Sequence, residues 1–179
     1  MLPSLPMNTP LEDILVNAYA KEMEVYLKEH PEDFPEAIDL AVGDRERYSW
    51  RAAWMLGNCM EKNDARVRGS LDRLIAAMPD KPDGHWRELM KIVEKMSLND
   101  EQEGRLFEMA MRQWLDTEKQ ASVRWKAFQF IASTVEKYPE IADEVKLSLS
   151  PELIDPLSPG VRRSVSRAAK KILAMTPRR

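Results

Sequence analysis

Glycine is scarce in this chain and cysteine nearly absent, with six glycines and one cysteine in 179 residues. The lone Cys59 excludes an intramolecular disulfide. Its setting, Trp-Met-Leu-Gly-Asn-Cys-Met, reads as a small packing residue among apolar neighbours. No glycine-rich phosphate loop and no Gly-x-Ser-x-Gly turn occurs, so nucleotide hydrolysis and serine-hydrolase chemistry have no support. The two histidines, His30 and His85, have no second His, Cys or carboxylate at metal-ligand spacing. The reading is therefore of no metal, no cofactor and no assigned catalytic residue. No window approaches the roughly 18 apolar residues of a membrane span, and the start has no basic stretch followed by an apolar one. The expectation is a cytoplasmic chain without membrane contact.

What is present is a helix-forming vocabulary: Ala, Leu, Met, Glu, Lys and Arg dominate, with 44% hydrophobic, 7% aromatic and 32% charged residues. That composition predicts an all-α protein with an ordinary buried core. The formal charge of −3 hides an asymmetry. Residues 161–179 carry seven basic side chains, Arg162, Arg163, Arg167, Lys170, Lys171, Arg178 and Arg179, and no acid. The rest of the chain holds 20 basic against 30 acidic residues, so a basic end follows an acidic body.

Local signals place the helices. Thr9-Pro10-Leu11-Glu12 combines an N-cap hydroxyl, proline at the first helical position and a capping-box glutamate, which predicts a long helix to about His30. A shorter helix follows Pro31 and ends at Gly43 in a left-handed cap, and Asp44 is positioned to cap the next. Val67, Leu71, Leu74, Ile75 and Met78 fall on one face of a helix opening at Asp64 and ended by Pro79 and Pro82. Further helices are predicted over 84–96, from about Asn99 with Leu106, Phe107, Ala110 and Trp114 on one stripe, and over 121–137, 139–149 and 159–174. The last repeats the cap-and-proline arrangement as Ser158-Pro159.

Spacing turns these helices into an architecture. Trp50-Arg51, Trp86-Arg87 and Trp125-Lys126 are 36 and 39 residues apart, and Arg162-Arg163 lies 37 further on. That period fits two helices and two turns. The segments around Val67-Arg68, Val123-Arg124 and Val161-Arg162 share a Val-Arg followed by small and apolar residues. These residues resemble HEAT-like (armadillo-like) helical repeats over about residues 31–175. The resemblance implies an α-α superhelix of about four to five helix pairs in one domain. Residues 1–30 would cap it at one end, 31–158 would form the repeats, and the basic helix 159–179 would close the other end.

Bulky residues between stacked helices are expected of such a fold, so the five tryptophans and Met90, Met96, Met109 and Met111 read first as packing residues. Arg66 with Arg73, and Arg105 with Arg112, are each seven residues apart and so share a stripe on two predicted second helices. These two stripes would line an inner concave wall able to receive an acidic peptide or a phosphate backbone, and with Arg162 and Arg163 of the basic end they form the candidate binding surface, its expected partner an acidic protein. An internal charge ladder with Asp72, Glu101 or Glu108 is the competing reading. The function expected is a non-enzymatic protein-interaction scaffold. The alternative is a nucleic-acid binder related in fold to the HEAT-like DNA alkylation-repair glycosylases, although no residue matches that family's catalytic carboxylate securely.

Overall fold

The computed structural model describes residues 8–45 and 47–175; Arg178, Arg179 and the first seven residues, read above from sequence, lie outside them. Among the described residues every regular element is helical. Packing divides the chain into two compact units, Met1–Ser97 and Leu98–Arg179.

The first unit holds α1 (Pro10–Asn17), α2 (Ala20–Glu29), α3 (Phe34–Val42), α4 (Ser49–Cys59), α5 (Ala65–Arg68), α6 (Leu71–Ala77) and α7 (Asp83–Glu94). These make three hairpins, α1/α2, α3/α4 and α5–α6/α7. α4 is the centre, packing on α3 within its hairpin and on α2 and α7 to either side. Its helical period places Ala52, Ala53, Met55 and Leu56 inside, all fully buried. The small residues keep the helices close. A Cβ added to Gly57 would already touch Ile92 of α7 at 3.6 Å.

The second unit holds α8 (Asp100–Leu115), α9 (Ala121–Lys137), α10 (Ala142–Lys146), α11 (Pro151–Ile154) and α12 (Pro159–Leu173), in two hairpins, α8/α9 and α10–α11/α12. α9 packs against both α8 and α12. A helix covered on two sides must be apolar on two sides. Val123, Ala127, Phe128, Phe130, Ile131 and Val135 are accordingly buried around it. Trp114 of α8 sets the join: its ring centroid lies 4.6 Å from that of Phe128, and its indole N–H donates to the Ser148 carbonyl at 2.9 Å.

Several boundaries differ from the sequence expectation. The capping box at Thr9 and Glu12 forms, with both hydrogen bonds at 3.2 Å. The predicted first helix, however, breaks at Ala18 and Tyr19, both extended. Glu22 accepts from the Tyr19 N–H at 2.8 Å to restart it, and Arg51 donates to the Ala18 carbonyl at 2.6 Å. The break lets Leu11 and Leu15 as well as Met23 and Leu27 bury. Gly43 is extended (φ −71, ψ −177) rather than left-handed. Asp44 pairs with Lys81 instead of capping α4. The helix from Asp64 divides at Gly69 and Ser70, although its apolar stripe, Val67 to Met78, is buried as expected. Ser158 precedes Pro159 at the start of α12 but its side chain makes no capping bond. α11 has no counterpart in the sequence reading.

One substitution tests how the second unit is closed. Arg124 is 1% exposed and donates through Nε to the Trp114 carbonyl at 3.0 Å and through Nη2 to the Leu153 carbonyl at 2.6 Å. Arg124→Met keeps the volume and leaves both carbonyls unpaired. Urea unfolding is expected to show a loss of about 2–3 kcal/mol, the range for a buried charged hydrogen-bonding group offset by its desolvation. A loss below about 0.5 kcal/mol would remove Arg124 from this role.

A second test uses pH. His85 is buried, its Nε2–H donates to the Ala41 carbonyl at 2.7 Å, and burial, aided by the Lys81 charge, holds its pKa below the ordinary value of 6.5. The unfolded chain therefore takes up this proton more readily, so the contribution is complete above about pH 6.5 and erodes as pH falls below it. His85→Gln should lose less stability than the parent protein between about pH 7.5 and about pH 5, measured by paired urea titrations.

Candidate functional site

The six arginines singled out by sequence occupy four different settings. Arg66 belongs to the fold. Asp64 caps α5 by accepting from the Arg66 N–H at 3.0 Å, and the Arg66 side chain returns two bonds to the same carboxylate, from Nε at 2.9 Å and Nη2 at 2.7 Å. Its guanidinium also lies 3.8 Å from the centre of the Phe34 ring. These bonds from Arg66 hold the Asp64 carboxyl down at about pKa 2. Arg73 sits beyond the break in the helix and pairs with Asp39 of α3 at 2.6 Å, with both side chains more than half exposed. The two therefore share no continuous stripe, because Gly69 and Ser70 interrupt the helix between them.

Arg105 and Arg112 do share α8, both exposed, and a seven-residue step returns to nearly the same angle. The hairpins place α5–α6 and α8 as first members, with α7 and α9 as their second members, so these arginines are not on second helices. The Trp50, Trp86, Trp125 and Arg162 positions are, on α4, α7, α9 and α12. Trp86 and Trp114 are buried core residues, whereas Trp50 is 45% exposed.

The Val-Arg pairs have a shared physical role. Arg68 donates to the Ser97 carbonyl at 2.7 Å, Arg124 to those of Trp114 and Leu153, and Arg162 to that of Asp155 at 3.5 Å. Each arginine reaches backbone oxygen at or just past a helix end, where carbonyls lack intrahelical partners. Sequence reasoning saw the repeated pair and missed this use of it.

α12 presents the densest basic surface. Val165, Ala169 and Ile172 face the core, and Arg162, Arg163, Arg167, Lys170 and Lys171 lie exposed on the other half of the helix. No acid occurs on the helix itself. Among the described residues the only ion pair these five make is Lys171 with Glu136, at 3.8 Å.

Two clefts complete the surface. In the first unit a cavity of about 790 Å³ lies at the starts of α4 and α7, beside Trp50, Asp80, His85 and Arg87. Two of the charges there are engaged within the fold, Asp44 with Lys81 and Arg87 with Glu88. In the second unit a groove of about 700 Å³ runs along α8. Its apolar floor includes Phe107, Met111 and Leu115, a second stripe beside the buried Leu106, Ala110 and Trp114. Sequence reasoning had merged Phe107 with that inner stripe. The i, i+4, i+8 spacing of Phe107, Met111 and Leu115 was the signal that could have separated them. Cys59, half-buried, points Sγ at the Glu24 carbonyl at 3.5 Å, and burial raises its pKa.

No helix among the described residues is long and apolar enough to cross a membrane. No curated protein and no solved structure matches the chain. The family model described as the HEAT repeat domain does match, over residues 7–172. Helix hairpins stacked within each unit and matching residues at a period near 37 are what that repeat requires. On this coverage the chain belongs to the HEAT repeat domain family.

Proposed function

We propose that this protein is a non-enzymatic interaction module that docks an acidic segment of a partner protein on the exposed basic face of α12. HEAT repeats commonly mediate protein interactions, because stacked hairpins offer long surfaces built from successive helices. The single observation that carries the reading is the state of the α12 cations. Arg162, Arg163, Arg167 and Lys170 are exposed on one half of a helix without an acid, and none forms an ion pair among the described residues. Charges left unneutralised by their own fold favour an oppositely charged ligand and steer its approach. Arg66 and Arg73 contribute less to such a surface, since Asp64 and Asp39 already hold them.

The test is fluorescence anisotropy of a labelled Glu/Asp-rich peptide against the full chain. The double substitution Arg162→Glu with Arg163→Glu should weaken binding at least about tenfold, a change of about 1.4 kcal/mol, while leaving the helical circular dichroism unchanged. Binding should also weaken steeply between about 50 and about 300 mM salt. Equal affinity of the charge-reversed protein removes α12 as the site. Tighter capture of duplex DNA than of the peptide at matched salt would replace this reading with the nucleic-acid one.

A further inference from the structure

The groove on the second unit has chemistry opposite to that of α12. Its origin is a mismatch of helix lengths. α8 has 16 residues, about 24 Å of helix, whereas α10, the first helix of the following hairpin, has five, about 8 Å. Pro139, which opens the short 3₁₀ turn ahead of α10, delays that helix. α10 packs on α12 and α9, and much of the α8 face is left without a helix over it. On that face Phe107, Met111 and Leu115 line an open floor with Ile141, and Leu115 is 47% exposed.

The rim is acidic. Asp100, Glu108 and Glu144 border the floor, and among the described residues none of them is ion-paired. Glu103, also on the rim, is held by Lys137 at 2.7 Å and by the Tyr138 hydroxyl at 2.8 Å. Among the described residues Arg112 is the only cation lining the groove. An apolar trough a little over two turns long between unpaired carboxylates is complementary to one kind of ligand, a helix with an apolar stripe flanked by Lys and Arg.

We propose that the α8 groove binds a basic amphipathic helical segment of a partner protein, with its apolar stripe on Phe107, Met111, Leu115 and Ile141 and its cations against Asp100, Glu108 and Glu144. This site is independent of the α12 reading. The two surfaces would recognise partners of opposite charge, and a substitution in one leaves the other intact.

Three labelled synthetic peptides of about 14 residues test it against the full chain by fluorescence anisotropy. The first carries a leucine stripe flanked by lysines, the second replaces its lysines with glutamates, and the third keeps the first composition but scatters the leucines off the stripe. The first should bind at least about tenfold more tightly than either of the others. Glu108→Lys with Glu144→Lys, both exposed and so tolerated by the fold, should abolish that preference. Phe107→Ala should weaken binding at least about fivefold with normal circular dichroism. Arg162→Glu with Arg163→Glu should leave it unchanged, which separates failure here from failure of the α12 reading. Equal binding of the lysine and glutamate peptides, or of striped and scattered ones, overturns the proposal. So does full binding by the Glu108→Lys, Glu144→Lys protein. Self-association in sedimentation that these same two substitutions abolish would also overturn it, by assigning the groove to a second copy of the chain.

Discussion

The fold depends on how helix C-termini are closed. The last carbonyls of any α-helix lack intrahelical donors, and the commonest remedy is a glycine in the left-handed conformation just past the end. Here no glycine among the described residues has positive φ, and Asn63 is the only other residue that does. Cationic side chains from other helices and connections take the glycine's place. Arg51 donates to the Ala18 carbonyl, Lys81 to that of Gly43 at 2.7 Å, Lys95 to that of Gly57 at 2.6 Å, and Lys146 to that of Met175 at 2.7 Å. Arg124 does so twice. A capping glycine acts within its own helix. Apart from the Arg124 bond to Trp114, 10 residues back in the same hairpin, each of these lysines and arginines ties one helix end to another element 29 to 38 residues away, so the same bond that satisfies a carbonyl sets the register of one hairpin on the next within a unit.

That use of charge also accounts for what is left over. Much of the chain's basic inventory is spent internally: Arg66 on Asp64, Lys81 on Asp44 and the Gly43 carbonyl, Arg124 on two carbonyls. Among the described residues, Arg162, at 3.5 Å from the Asp155 carbonyl, makes only the outer limit of such a bond. The groove on α8 arises where a short helix follows a long one. Both candidate surfaces are therefore places where the pattern of mutual capping and covering is incomplete.

Much of the fold was legible from residues because helix periodicity and caps are local. α9 spans Ala121–Lys137 as its pattern predicts, and the stripe from Val67 to Met78 is buried as its spacing requires. Breaks without glycine or proline were invisible. Ala18 and Tyr19 carry no breaking signal, and what holds the chain extended there includes the Arg51 donor, 33 residues downstream. Asp44 looked like a cap, but Lys81 claimed its carboxylate from 37 residues away. The candidate site was less legible than the helices, because a free arginine and a paired one look alike in sequence. Arg66 and Arg162 both stand in the first turn of a helix, yet Asp64 holds the first and the second forms no ion pair among the described residues.

The sequence by itself determined that this chain is helical, that its units recur at about 37 residues, and that its basic charge gathers at the end, because composition, periodicity and charge are properties of short stretches. Tertiary structure alone decided which cations are consumed as caps and which stay exposed, and that Phe107, Met111 and Leu115 line an open groove instead of a core. Those outcomes turn largely on donors and covering helices from other elements of the chain, and packing is what brings such groups together.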